Sequence, residues 1–372
     1  MSGVLQVVFQ NLRSFGPSPL ALWGSGKDNQ GQIGQPDSTD RSSPTQVGAL
    51  TDWASLQTGQ RSGLAVKTDG TLWVWGNGGD GRLGQNNLIY YSSPVQVGAL
   101  TNWAKAEIRV QTAIAVKTDG TLWAWGNNDN GRMGNNDAIP YSSPVQIGSG
   151  TNWAFPTAGR RHSGAITTAG NLYMWGRNNQ GRVGDGTTTD RSSPVLIGSG
   201  FSTVSAGTGD TFSHTLAIKT DGTLFSWGVK ANGKLGTNQM TDNKSSPNIV
   251  GALTTWEYIS AGRENSHGIR GGLLYGWGNA SFIGNSSLME ASSPAQVGSA
   301  TDWIQVSSTN ENNVGALRAD GSLWGWGRNE NGELGQDSRL PLNASSPIQI
   351  GAGRTWVAVS TGQDFLMYLE EA

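Results

Sequence analysis

Three histidines, His162, His214 and His267, are the only imidazoles in this chain of 372 residues, so acid–base or metal chemistry would be sought there first. They stand 52 and 53 residues apart, too far for the close spacing with which one local segment holds a metal, and no nucleophile motif accompanies them. Each falls in a loop or at a strand's start, and its expected role is a structural hydrogen bond to a turn. Cysteine is absent, which removes disulfides and thiolate metal sites. The recurrent Gly-x-Leu-Gly lacks the Lys-Ser/Thr of a phosphate loop. Asn127-Asn128-Asp129-Asn130-Gly131 has the composition of a calcium loop without its alternating acids or closing Glu, and reads as a turn. No catalytic residue, metal ligand or cofactor is expected, and the chain reads as a non-enzyme.

What positions these residues is a repeat. Trp-Gly occurs at Trp23, Trp75, Trp125, Trp175, Trp227, Trp277 and Trp326, at intervals of 49 to 52 residues. Ser-Ser-Pro follows each one, ending at Pro44, Pro94, Pro144, Pro194, Pro247, Pro294 and Pro347. Two independent markers in the same order mean one supersecondary unit copied seven times.

Trp53 to Gly98 shows the unit. Trp53 to Gly59 predicts a first strand and Leu64 to Lys67 a second. Asp69-Gly70 predicts a hairpin turn, because Gly tolerates positive φ. Thr71 to Gly76 is rich in residues suited to a packed pleated sheet and predicts a third strand. A Gly/Asn/Asp loop then leads past Pro94 into a fourth strand, Val95 to Gly98, with Pro at the start of an edge strand. Four antiparallel strands per copy make a propeller blade. The segment before Trp53 holds only the last two strands of a unit, and that after Trp356 only the first two. One blade is therefore shared by the two ends. The expectation is an all-β, seven-bladed propeller over residues 17–372, preceded by an arm over residues 1–16.

Composition agrees. The 55 Gly and 13 Pro suit many tight turns, while 16 Trp argue against disorder. A net charge of −2 without basic runs speaks against general nucleic-acid binding. No apolar stretch is long enough to cross a bilayer, and Met1 to Phe9 lacks the features of a signal peptide. Synthesis in the cytoplasm and no membrane insertion are expected.

The string Leu-Ala-Val-Lys-Thr-Asp-Gly-Thr-Leu-Trp-x-Trp-Gly, followed by Gly-x-Leu-Gly and Ser-Ser-Pro-Val-Gln-Val-Gly, is similar to the repeat of the regulator of chromosome condensation family. The best copies are 115–148 and 216–251, and the likeness runs from Pro17 to Leu369. It implies the two-ended propeller already deduced. Nucleotide exchange on a small GTPase, known in that family, looks to depend on a wedge inserted into the ring, and the even repeat lengths leave no room for one. Ultraviolet sensing, also known there, uses Gly-Trp-Arg-His-Thr, and this chain has no Trp-Arg pair.

Shared positions maintain a repeat fold, so function is sought where copies differ. The marker residues Trp23, Trp75, Trp125, Trp175, Trp227, Trp277 and Trp326 are expected in the core. The loop before Ser-Ser-Pro is polar in repeats one and four (Asp37 to Arg41, Thr187 to Arg191). It is apolar in repeat two (Leu88, Ile89, Tyr90, Tyr91), three (Ile139, Tyr141), six (Leu288, Met289) and seven (Leu340, Leu342). Exposed apolar loops predict two protein-binding patches on one rim. In the arm, Val7 and Phe9 could add a strand to a neighbour's sheet. The expected function is a scaffold in a larger assembly. Resemblance to bacterial and phage members implies a virion component, such as a tail or capsid-attached decoration or adhesin protein. The alternatives are an intracellular adaptor, including a GTPase exchange factor, and a lectin binding host-surface glycan.

Overall fold

Local hydrogen bonding explains why the Thr-Asp-Gly-Thr-Leu-Trp string recurs. Gly70 takes a φ of +77°, which closes the turn. The Asp69 carboxylate accepts from the Thr71 amide at 2.9 Å and its hydroxyl at 2.6 Å, and that hydroxyl accepts from the Trp73 indole at 2.8 Å. The same relay joins Asp119, Thr121 and Trp123. One short string thus fixes both the hairpin and the first aromatic side chain beyond it.

The computed structural model describes residues 19–239, 242–287, 289–308 and 313–372, so the 1–16 arm with Val7 and Phe9, and Leu288, lie outside the described residues. Among the described residues the strands form seven four-stranded antiparallel sheets. Blade 2 comprises Trp53–Thr58, Ser62–Lys67, Leu72–Gly76 and Tyr91–Gln96. Blades 3 to 7 span 103–146, 153–198, 201–249, 256–296 and 303–350. Blade 1 is the shared one: Trp356–Thr361 pairs with Phe365–Glu371, which pairs with Leu20–Gly26, which pairs with Arg41–Gln46. First strands of successive blades touch in an unbroken circuit, the first strand of blade 7 meeting that of blade 1. These strands line the centre of the ring.

The shared markers form one joint between blades. The Trp75, Trp125, Trp175, Trp227 and Trp277 indoles donate across the blade boundary to the carbonyls of Gln32, Arg82, Arg132, Arg182 and Lys234 at 2.8–3.0 Å. Each carbonyl belongs to the variable residue of the preceding blade's Gly-x-Leu-Gly. A Cβ on Gly81 would lie 2.6 Å from the Ser142 Cα, and one on Gly84 would lie 2.9 Å from the Trp125 indole nitrogen. The Asn86 amide donates to the Ser142 carbonyl at 2.7 Å. Trp-Gly, Gly-x-Leu-Gly and Ser-Ser-Pro are therefore three parts of one inter-blade contact.

Three expectations need correction. The outer strand of blade 2 begins at Tyr91, not Val95, and Pro94 sits within it at a register shift between Val74 and Gly76. An edge strand with an irregularity tolerates the missing N–H. The histidines bond across blades or to a neighbouring loop, not to their own turns: His162 Nε2 meets Thr215 Oγ1 at 2.8 Å and His214 Nε2 meets Ser266 Oγ at 2.7 Å. Trp23 is not a core marker. Gly26, with φ +103°, corresponds to Gly76 at +92°, so Trp23 matches half-buried Trp73, and Ser25 occupies the place of Trp75.

Blade 1 fills the missing indole's volume from the adjoining strand. Tyr368 stands opposite Trp23 where Ala65 stands opposite Trp73, and Leu366 stands opposite Ser25 where Gly63 stands opposite Trp75. Ser25 Oγ donates to the Glu333 carbonyl at 2.8 Å, replacing the indole bond, and meets the Tyr368 hydroxyl.

A second substitution in blade 1 leaves one carboxylate oxygen without a partner. Asn128, Asn178 and Asn329 each accept a backbone N–H five residues on and donate their amide to loop oxygens of the same blade. Asp28 accepts from Ile33 in the same way at 2.7 Å, but its second oxygen is buried without a partner. A carboxylate cannot donate unless protonated, and burial pushes its pKa from 3.8 up to about 7. The folded state then binds more protons than the unfolded one between those values. Stability from this group is complete below pH 3.8 and is lost as pH rises through 7. Asp28→Asn is expected to be neutral at pH 4 and stabilising by up to about 4 kcal/mol at pH 8, read from denaturant unfolding at the two pH values.

Candidate functional site

The centre of the ring offers little chemistry. Its cavity, about 120 Å³, is lined by side chains such as Ser55, Thr203, Ser260 and Gln305. Burial raises the pKa of Glu107, yet the Arg109 guanidinium engages one of its oxygens and the Ala158 amide the other at 2.7 Å. The three histidines are fully buried on separate blades, and burial lowers all three pKa values, that of His267 to about 4. Among the described residues no group of three His, Asp or Glu side chains is placed to hold a metal.

The rim loops are better defined. They lie between the third and outer strand of each blade, and on blades 1 to 4, 6 and 7 they close with the same small turn, in which a side-chain oxygen accepts a backbone N–H two residues on. Asn87 accepts from Ile89 and Asp137 from Ile139, both at 2.9 Å; Ser287 accepts from Met289 at 3.1 Å and Ser338 from Leu340 at 3.0 Å. In the polar copies Asp37 accepts from Thr39 at 3.2 Å and Thr187 from Thr189 at 3.3 Å. The turn is constant while its tip residue changes between Thr and a large apolar side chain. Leu88, Ile89, Tyr90, Ile139, Met289, Leu340 and Leu342 are between 52 % and 77 % exposed.

Tyr91 and Tyr141 behave differently from the loop residues they were grouped with. Each is the first residue of an outer strand and half-buried against its own blade. The Tyr91 hydroxyl accepts from Asn87 at 3.0 Å and the Tyr141 hydroxyl donates to Asp137 at 3.0 Å, so both brace the rim turns. The pairing of each with the Gly that ends the third strand fixes this position.

One feature of the same face was missed. The variable residue of Gly-x-Leu-Gly reads Gln32, Arg82, Arg132, Arg182, Lys234, Phe282 and Glu333 around the ring, the sixth copy beginning with Ser281. Four consecutive blades carry a cation there and the last an acid. This pattern is visible in the sequence, but it lies inside a motif whose other residues are wholly structural. The side chains of Arg132, Arg182 and Lys234 are fully buried beneath the loops.

Comparison with known proteins places this geometry. The regulator of chromosome condensation (RCC1) repeat model matches residues 69–110, 119–166, 169–218, 221–267 and 320–369. The chain is 26 % identical over 147 residues to human Probable E3 ubiquitin-protein ligase HERC6, a match covering 37 % of this chain and 14 % of that protein's length. Its structure superposes on yeast RCC1 (Prp20), solved bound to Kap60, with a TM-score of 0.84 at 17 % identity, covering 95 % of this chain and 89 % of that one. A structure of Prp20p from Saccharomyces cerevisiae, described with its binding properties to Gsp1p and histones, gives 0.80 at 17 % identity, covering 97 % and 93 %. At such identities the superpositions establish the fold alone.

Proposed function

The chain belongs to the regulator of chromosome condensation repeat family, and from that premise we propose that it is a non-enzymatic interaction propeller that holds protein partners in a larger assembly. One observation carries this reading: rim turns closed by the same hydrogen-bond pattern end in Thr on blades 1 and 4 and in Ile, Met or Leu on blades 2, 3, 6 and 7. The fold does not require the apolar tips, because Thr serves the same turn. Exposed apolar side chains held on rigid turns are the anatomy of a contact surface. Binding of Kap60 by yeast RCC1 supports such a use of the scaffold.

The double variant Ile89→Glu/Ile139→Glu is expected to keep its thermal midpoint and lose its partner. Tagged wild-type and variant chains, recovered from the native cell and compared by mass spectrometry, read this directly. A partner set identical for both chains would refute the reading. A virion is one setting for such an assembly, and the presence of this chain in purified particles tests it. The lectin alternative, which draws on exposed Asn, Asp and aromatic loop residues, is tested by binding to a glycan array. No helix among the described residues is long and apolar enough to cross a membrane.

A further inference from the structure

We infer that the arginine-rich face over blades 3 to 6 is a second docking site, for an acidic protein segment, built around the loop 207–213. The rim reading and this one are independent.

The loop joins the first and second strands of blade 5, between Ala206 and His214, where blade 2 has only Gly59, Gln60 and Arg61 between Thr58 and Ser62. A shorter connection between blades 4 and 5 masks the extra length in the spacing of the Trp-Gly markers. The loop is held from below by buried cations. Arg182 donates to the Asp210 carbonyl at 3.2 Å, and the Lys234 ammonium donates to the Phe212 carbonyl and, at 3.4 Å, to that of Arg263. Phe212 is left 47 % exposed at the loop's tip.

Around it stand Arg160, Arg161 and Arg177 of blade 4 and Arg263 of blade 6, all partly exposed. Asp210, within the loop, shows what this setting recognises: its carboxylate lies 3.3 Å from Arg160 and 2.5 Å from Arg161. The Arg161 hydrogen bond and the adjoining charges hold that carboxyl below its ordinary range. Arg263 in turn lies 3.8 Å from the Glu264 carboxylate. Burial, then Arg161, lowers the Arg132 pKa to about 10; burial, then Arg177 and Arg161, lowers that of Arg182 to about 10. Burial also lowers Lys234 to about 7; the nearby Glu264 carboxylate opposes that shift, and Arg182 and Arg263 add to it.

On the far side of the same face, Glu330 and Asp364 are paired with Arg328. The chain carries a net charge of −2, so the basic patch is a local arrangement. Guanidinium groups converging on a carboxylate next to an exposed ring suit an acidic peptide carrying one apolar side chain. A nucleic-acid backbone would instead call for cations spread along its length.

The probe is a fluorescein-labelled peptide of ten glutamates with one central leucine, titrated by anisotropy with the intact chain. Saturable binding is expected, weakening with salt. Arg177→Glu/Arg263→Glu should lower affinity at least about tenfold at an unchanged thermal midpoint, and Phe212→Ser about fivefold. Arg177→Gln/Arg263→Gln, also expected to lose about fivefold, gives the reading if charge reversal disturbs the fold. Ile89→Glu/Ile139→Glu should bind the peptide as the wild type does, which separates this site from the rim. Absence of saturable binding, equal affinity in the arginine variants, or tighter binding of a DNA duplex than of the peptide would overturn the inference.

Discussion

A chain ended after Gly362 is expected to show no cooperative unfolding transition. The lost strand, Phe365–Glu371, lies inside blade 1 between Trp356–Thr361 and Leu20–Gly26. Phe365, Leu366, Met367, Tyr368 and Leu369 are all fully buried. At about 1.5–3 kcal/mol for each large apolar side chain, their loss forfeits on the order of 10 kcal/mol. That equals the whole net stability of a typical domain, about 5–15 kcal/mol. Truncation also leaves two unpaired strand edges at the gap in the ring, which invites association between chains. Scanning calorimetry and far-ultraviolet circular dichroism read the outcome. A transition near the midpoint of the intact chain would show that the ring closes without a composite blade.

Tyr368→Ala should cost about 3–5 kcal/mol, the range for removing a large buried aromatic side chain. Tyr368 is fully buried, packs 5.0 Å from the Trp356 ring, and meets Ser25 through its hydroxyl. The loss has a specific remedy, because blades 2 to 7 solve the same packing problem with Trp at the position of Ser25 and smaller residues at those of Leu366 and Tyr368. Ser25→Trp alone should also destabilise, since the indole would collide with Leu366 and Tyr368. The triple variant Ser25→Trp/Leu366→Ala/Tyr368→Ala should recover most of the loss, giving a coupling of several kcal/mol between residues more than 340 positions apart. Urea denaturation of the single and triple variants measures this. Additive losses would mean that Tyr368 does not stand in for the indole.

The two results bear on how much of the molecule its sequence reveals. Blade number, strand order and shared closure were all legible, because their signals are local. The relay from Asp69 through Thr71 to Trp73 spans five residues, and the seven Ser-Ser-Pro copies keep step with the Trp-Gly markers. The rim loops were legible too, as departures from a pattern. Tyr91 and Tyr141 were misplaced because whether a residue at a strand's start faces solvent depends on its pairing partner, here Gly76 and Gly126, across a long loop.

The sequence by itself determined a ring of seven copies with its ends in one blade, since periodicity and turn chemistry act within a single unit. Only the tertiary structure decided what each copy does to its neighbour. Trp23 passed for a core marker because its Trp-Gly pair is intact, and the Gly26 backbone was needed to show that Ser25 holds that place. Burial left one Asp28 carboxylate oxygen without a partner and raised its pKa, and the basic face was assembled from cations on separate blades. Charge, desolvation and cavity filling act across blade boundaries, between residues that no local pattern joins.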